Sequence, residues 1–128
     1  MAFVIFVERW ISENAEDAIR AAINFPDFRV ALLTESPPTL LDSTVRNKLV
    51  AWLRIPNVRD SKCIVSGAKT LAKRFGEITQ LIGVGEYEQI AIAQARHQLD
   101  INGIPPRTAK NFRDKFQMKQ LLLAAGVP

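Results

Sequence analysis

The chain has 128 residues, 48% of them apolar and 23% charged, an ordinary balance for one globular domain able to bury a core without staples. No apolar run approaches the ~18–20 residues of a bilayer-spanning helix, the apolar start lacks the basic region of a secretory leader, and the single Cys63 excludes an internal disulfide, so no membrane role and a cytoplasmic setting are expected. The net charge of +4 is unevenly placed: residues 1–44 carry three Arg against seven Asp/Glu, whereas residues 45–128 carry fourteen Lys/Arg against six, which favours an anionic partner for the second half.

In chain order, Phe3 to Val7 is a short continuous apolar run, predicted to be a buried parallel strand. Ala15, Ala18, Ile19, Ala22 and Ile23 then recur at helical spacing, with Glu13, Glu16 and Asp17 near the positive end of the helix and Pro26 stopping it. Phe28 to Leu33 reads as a second strand, broken by Pro37-Pro38. Leu41, Val45, Leu49 and Trp52 predict a further helix, and Leu53 to Val58 a strand interrupted by Pro56. Ile64, Val65, Ala68, Leu71, Ala72 and Phe75 share a helical face that Gly76 closes, despite Gly67 within it. Ile78 to Val84 predicts a strand, Tyr87 to Leu99 a helix, and Asn102-Gly103-Ile104-Pro105-Pro106 a turn. Near the end, Asp114 and Gln117 form a capping box over a stripe of Met118, Leu121, Leu122 and Ala125, with Gly126 as the stop. Strands alternating with helices of crossover length predict an α/β fold, an open and mainly parallel sheet with flanking helices, ending in a capped helix.

Several chemistries lack their residues. The segment after the first strand, Glu8-Arg9-Trp10-Ile11-Ser12, has no glycine to bring backbone against a pyrophosphate, so Glu35 after the second strand is a poor ribose-binding acid. Gly83-Val84-Gly85 is read as a turn. There is no Gly-x-Ser-x-Gly elbow, the single His97 falls within a helix, and Cys63 at a helix start reads as a half-buried structural thiol. No catalytic residue and no metal-binding cluster is identified. Lys115 is the exception, because it falls at the first position of the last helix. Free N–H groups and a cation there make an anion site suited to phosphate, with a solvated lysine as the plain alternative.

Glu86-Tyr87-Glu88-Gln89, Ala93-Gln94-Ala95-Arg96, Leu99, Ile101-Asn102-Gly103, Asp114-Lys115 and Ala125-Gly126-Val127-Pro128 occur in a recognisable order. The run resembles the segment leading into the ATP-grasp domain of ATP-dependent carboxylate–amine ligases, a superfamily that includes biotin carboxylase and D-alanine–D-alanine ligase. The resemblance is strongest over residues 78–128. It implies a pre-ATP-grasp, Rossmann-like domain over residues 1–106, and a helix over residues 107–128 that leads to an ATP-grasp domain as partner. For the parent protein it implies ATP and Mg as cofactors, an acyl-phosphate mechanism, and small carboxylate and amine substrates. Lys115 would reach the ATP phosphates. Glu86 would face the substrate side, a helix-capping acid being its simpler account.

That family's second lysine, glycine-rich loop and Mg ligands lie beyond the Ala-Gly-Val-Pro turn and have no counterpart here. The chain alone is therefore expected to be a truncated, inactive piece whose uncovered apolar surface favours self-association. The alternative is a stand-alone α/β binding or regulatory domain contacting an anionic partner such as nucleic acid, with Trp52, Phe75 and Phe112 beside basic residues. A receiver-like domain would need acids clustered at strand ends, which Glu8 and Glu35 match thinly.

Overall fold

The computed structural model describes residues 2–101. They form β1 (Ala2–Glu8), α1 (Glu13–Ile23), β2 (Phe28–Thr34), a 3-10 turn (Pro38–Leu40), α2 (Ser43–Arg46), β3 (Ala51–Arg54), α3 (Ser61–Phe75), β4 (Gln80–Ile82) and α4 (Gln89–Leu99). The sheet is open and all-parallel in the order β3-β2-β1-β4, the Rossmann-like α/β arrangement that the alternation predicts. The Asp114 capping box, Lys115 and the expected boundary at residue 106 lie outside the described residues.

β1 is the axis of the sheet. It pairs with β2 from Ala2↔Phe28 to Glu8↔Thr34 and with β4 from Val4↔Gln80 to Phe6↔Ile82. All seven of its residues are buried, because a central strand covered on both faces has no solvent side on which polar residues would alternate. Ala2, Val4 and Phe6 pack towards α1 and α2 with Ala15, Ala18, Ile19 and Val45. Phe3, Ile5 and Val7 pack towards α3 and α4 with Ile64, Ala68, Leu71, Ile92 and Ala95. The result is three layers, helices on either side of one sheet.

The helices begin where side chains satisfy their first N–H groups. Ser12 Oγ accepts from the Ala15 N–H at 3.0 Å at the start of α1, and Asp60 Oδ1 from the Lys62 N–H at 2.9 Å at the start of α3. Gly76 ends α3 at φ 98°, a conformation that favours glycine. Buried Arg96 ties α4 to the sheet, its Nε donating to the Leu81 carbonyl at 2.7 Å, and burial lowers its pKa to about 10. No helix among the described residues is long and apolar enough to cross a membrane.

Four elements depart from the periodicity. The helix expected through Leu41, Val45, Leu49 and Trp52 is only one turn, Ser43–Arg46. The chain then joins the sheet: Val50 N–H donates to the Val30 carbonyl at 2.9 Å and Trp52 pairs with Leu32 inside β3. Sheet pairing here outweighs a weak helical stripe, and the strand expected at Leu53 to Val58 starts and ends earlier. β4 is Gln80–Ile82 rather than Ile78 to Val84, and α4 begins at Gln89 rather than Tyr87.

Candidate functional site

β1 leads to β2 and β3 on one side, while β4 returns to the other side of β1, so the strand order reverses between β1 and β4. In open parallel sheets the crevice beyond the carboxyl ends of strands at such a reversal is where ligands bind. Here those ends are Glu8 and the Gly83-Val84-Gly85 loop.

Glu8 closes an otherwise apolar strand and is only 2% exposed; its Oε2 accepts the Val84 N–H at 2.8 Å. Against it lies Glu88, 1% exposed, at the N-cap of α4. Glu88 makes no side-chain cap bond to its helix and instead shares a hydrogen bond with Glu8. Two carboxyls in contact away from water cannot both ionise. Burial first, and then the Glu88 charge, push Glu8 well above the usual carboxylate range; burial also raises Glu88. Burial and mutual repulsion thus favour a pair that shares one proton.

The loop that carries this pair is tightly held. A Cβ on Gly83 would meet the Val7 carbonyl at 2.6 Å and Ile92 Cδ1 at 2.5 Å, and one on Gly85 would meet Glu88 Oε1 at 2.7 Å. Both glycines are there for close approach, which is more than the turn that the sequence predicts. The Gln89 side-chain amide donates to the Gly83 carbonyl at 2.8 Å and also to that of Gly85.

Outside the acid pair stands an aromatic and cationic rim. The Arg9 guanidinium carbon lies 4.1 Å from the Tyr87 ring centroid and 5.0 Å from that of Trp10, and the Arg59 carbon lies 4.8 Å from the Tyr87 centroid. Cations over aromatic faces are favourable and leave the in-plane guanidinium donors available. Ser36 Oγ donates to the Arg9 carbonyl at 3.0 Å, which ties the loop after β1 to the loop after β2. A cavity of about 190 Å³ is lined by Glu8, Arg9, Glu86, Tyr87 and Glu88 among others, and a larger one of about 590 Å³ by Arg59, Glu86, Tyr87 and Ile90 among others. Tyr87 and Glu86 are walls of both.

Of the residues singled out from sequence, Glu86 is exposed on this rim, and the helix-capping position proposed for it belongs to Glu88. Lys115 lies outside the described residues. Glu35 is structural: its Oε2 accepts the Val58 N–H at 2.9 Å, and its carbonyl accepts from Arg54. His97 is exposed on α4, and half-buried Cys63 packs at the start of α3 with Sγ 3.7 Å from Asp60 Oδ2. Trp52, an aromatic of the nucleic-acid reading, lies on the β3 edge strand. The Glu8–Glu88 pair, Arg9 and Arg59 were not anticipated as a group. An acid ending an all-apolar strand was the available signal, but its partner lies 80 positions along the chain.

The described residues do not form a nucleotide cradle. The loop after β1 has no glycine, and α1 begins with Ser12 filling its own N-terminus and Glu13 and Glu16 in its first turn. No group of three or more His, Cys, Asp or Glu among the described residues is placed to hold a metal ion.

No protein-family model and no curated protein sequence matches the chain. Among solved structures it is similar to an L-amino acid ligase from Bacillus licheniformis, at a TM-score of 0.62 and 16% identity over 98% of this chain. The likeness is one of fold. The chain spans about 30% of the length of that ligase.

Proposed function

We propose that this chain is the pre-ATP-grasp domain of an ATP-dependent carboxylate–amine ligase, with residues 1–106 forming the α/β domain and residues 107–128 leading towards an ATP-grasp domain. The observation that carries the reading is that nearly the whole chain shares its fold with under a third of an L-amino acid ligase. The order of residues from Glu86 to Pro128 supports it independently. In this reading the domain shapes the substrate side and another domain holds the nucleotide, which accords with a cleft that has carboxylates and arginines but no phosphate loop.

ATP with Mg would supply the phosphoryl group that activates the substrate carboxylate. The described residues would bind and orient the substrate, with Glu86 on its side of the site. Lys115 is assigned to the ATP phosphates on the resemblance alone. The chain by itself is assigned no catalysis.

The test is to read the coding sequence past Pro128, express the longer protein, and measure ADP release with and without amino acids. Substrate-dependent ADP release is expected from the longer protein and none from residues 1–128. Lys115→Ala should lower kcat/KM for ATP at least tenfold, about 1.4 kcal/mol of transition-state stabilisation. A longer protein that neither binds ATP nor releases ADP would overturn the reading.

A further inference from the structure

We propose that the outer edge of β3, with the groove between β3 and α3, docks an extended acidic peptide segment of another protein, which joins the sheet as a further strand. β3 and β4 are opposite edges of the sheet, so this surface is separate from the cleft at Glu8 and Glu88 and stands apart from the ligase reading.

The first argument is what an added strand would bury. β3 ends the sheet among the described residues, so its outer N–H and C=O groups face no described strand. Apolar surface lies on both of its faces. On the α3 side is a groove of about 510 Å³, lined by Leu53, Ile55, Pro56 and Gly67 together with Arg54 and Lys62, among others. On the other side Trp52 is 45% exposed and Val50 37%. Trp52 pairs with Leu32, which packs towards α1 and α2, and α2 is a single turn that leaves Trp52 uncovered. Side chains of a strand alternate between faces. A segment paired to β3 would therefore set one row of residues against the groove and the other against Val50 and Trp52, while its backbone satisfies the open edge.

The second argument is charge. From Ser43 to Arg59 the chain carries Arg46, Lys48, Arg54 and Arg59 and no acid. Arg59 turns to Tyr87, but Lys48, Arg54 and Lys62 are exposed around the strand and its groove. Two acids lie close by. Asp60 uses Oδ1 on the Lys62 N–H, and Glu35 uses its carboxylate on the Val58 N–H and gives Arg54 its carbonyl. With both counted, Arg46, Lys48, Arg54 and Lys62 still leave the edge positive. Two copies meeting edge to edge would set that charge against itself, a common guard against self-pairing. An acidic strand meets it with the opposite sign. A nucleic acid would answer the cations but leave the strand's backbone groups and the apolar groove unfilled.

The experiment is a titration of the isotopically labelled 128-residue chain, at low ionic strength, with three acetylated and amidated octapeptides. They are EEVTVIEE, its basic counterpart KKVTVIKK, and EEPTPIEE, whose prolines remove strand-pairing N–H groups. EEVTVIEE is expected to bind at least tenfold more tightly than either of the others, with shifts centred on the backbone amides of Ala51 to Arg54 and Cys63 to Gly67. Lys48→Glu combined with Lys62→Glu, both at exposed positions, should weaken EEVTVIEE at least tenfold and keep a folded spectrum. Equal responses to EEVTVIEE and EEPTPIEE overturn the proposal, as does no binding of any peptide, or a double variant that binds EEVTVIEE as tightly as the parent. Shifts at Ala51 to Arg54 that grow with protein concentration alone assign the edge to a second copy and overturn it. A single-stranded DNA oligonucleotide that outcompetes EEVTVIEE at the same amides overturns it in favour of a nucleic acid.

Discussion

Glu8 shows how one side chain sets a local rule that its neighbours obey. Its carboxyl is buried, is raised in pKa mainly by that burial, and is held by the Val84 N–H. The folded state therefore keeps a proton that the unfolded chain releases near pH 4.5. Below that pH both states hold the proton and the stabilising contribution is fully present; as pH climbs towards the folded pKa, it is lost. Glu8→Gln keeps an acceptor for Val84 and a donor for Glu88 but needs no proton from solvent. It is expected to raise the thermal midpoint by a few degrees at about pH 8, on the order of 1 kcal/mol, with the difference shrinking towards about pH 5. A pH series of melting curves for the two proteins checks this, and parallel curves would refute the proton-sharing account. Sequence alone could flag Glu8 as a charge ending an apolar strand. It could not supply Glu88, whose meaning comes from β4 returning beside β1.

Elements were legible wherever one physical signal dominated. The run from Phe3 to Val7 reads as a buried parallel strand and is one, and the alanine-rich face of α1 packs where its spacing places it. Legibility failed at α2 and β3, where a stripe of four apolar residues with helical spacing was overruled by hydrogen bonds to β2 that no local pattern announces. The glycines separate by what they touch. Gly83→Ala would drive a methyl into the Val7 backbone carbonyl, which cannot step aside, and should cost about 2–3 kcal/mol. Gly67→Ala meets mainly the mobile methyl ends of Leu33, at 2.9 Å, and regains helix propensity, so its loss should stay below about 1 kcal/mol. Ser12→Ala, which removes the cap of α1, should cost about 1 kcal/mol. Denaturant midpoints of the three variants rank them, and a Gly83→Ala protein as stable as the parent would mean that the β4–α4 loop is not tightly packed.

For the molecule as a whole, stability should be graded outward from β1. Amides of Val4 to Phe6 sit in a strand paired on both sides, whereas β3 is a four-residue edge strand whose Trp52 is 45% exposed. Hydrogen exchange is expected to be slowest in β1 and the facing part of β2, and at least tenfold faster in β3. Uniform protection across the sheet would contradict that gradient. The fold class was readable because alternation of strand and helix is a chain-wide pattern. The site was not, because it is assembled from Glu8 at the end of one strand and Arg9 just past it, Arg59 before α3, and Glu86 to Glu88 after another strand.

The same pairing has a consequence for how the protein is made. Val4 meets Gln80, so the most apolar strand must wait for a partner 76 residues further along the chain. At about 5–20 residues per second, that interval on the ribosome is roughly 4–15 s. During it, Phe3 to Val7 can gain β2 and α1 but not β4, and one edge of the strand stays uncovered. A nascent chain held at that point would present an open, wholly apolar strand edge to whatever holdase or second nascent chain is nearest.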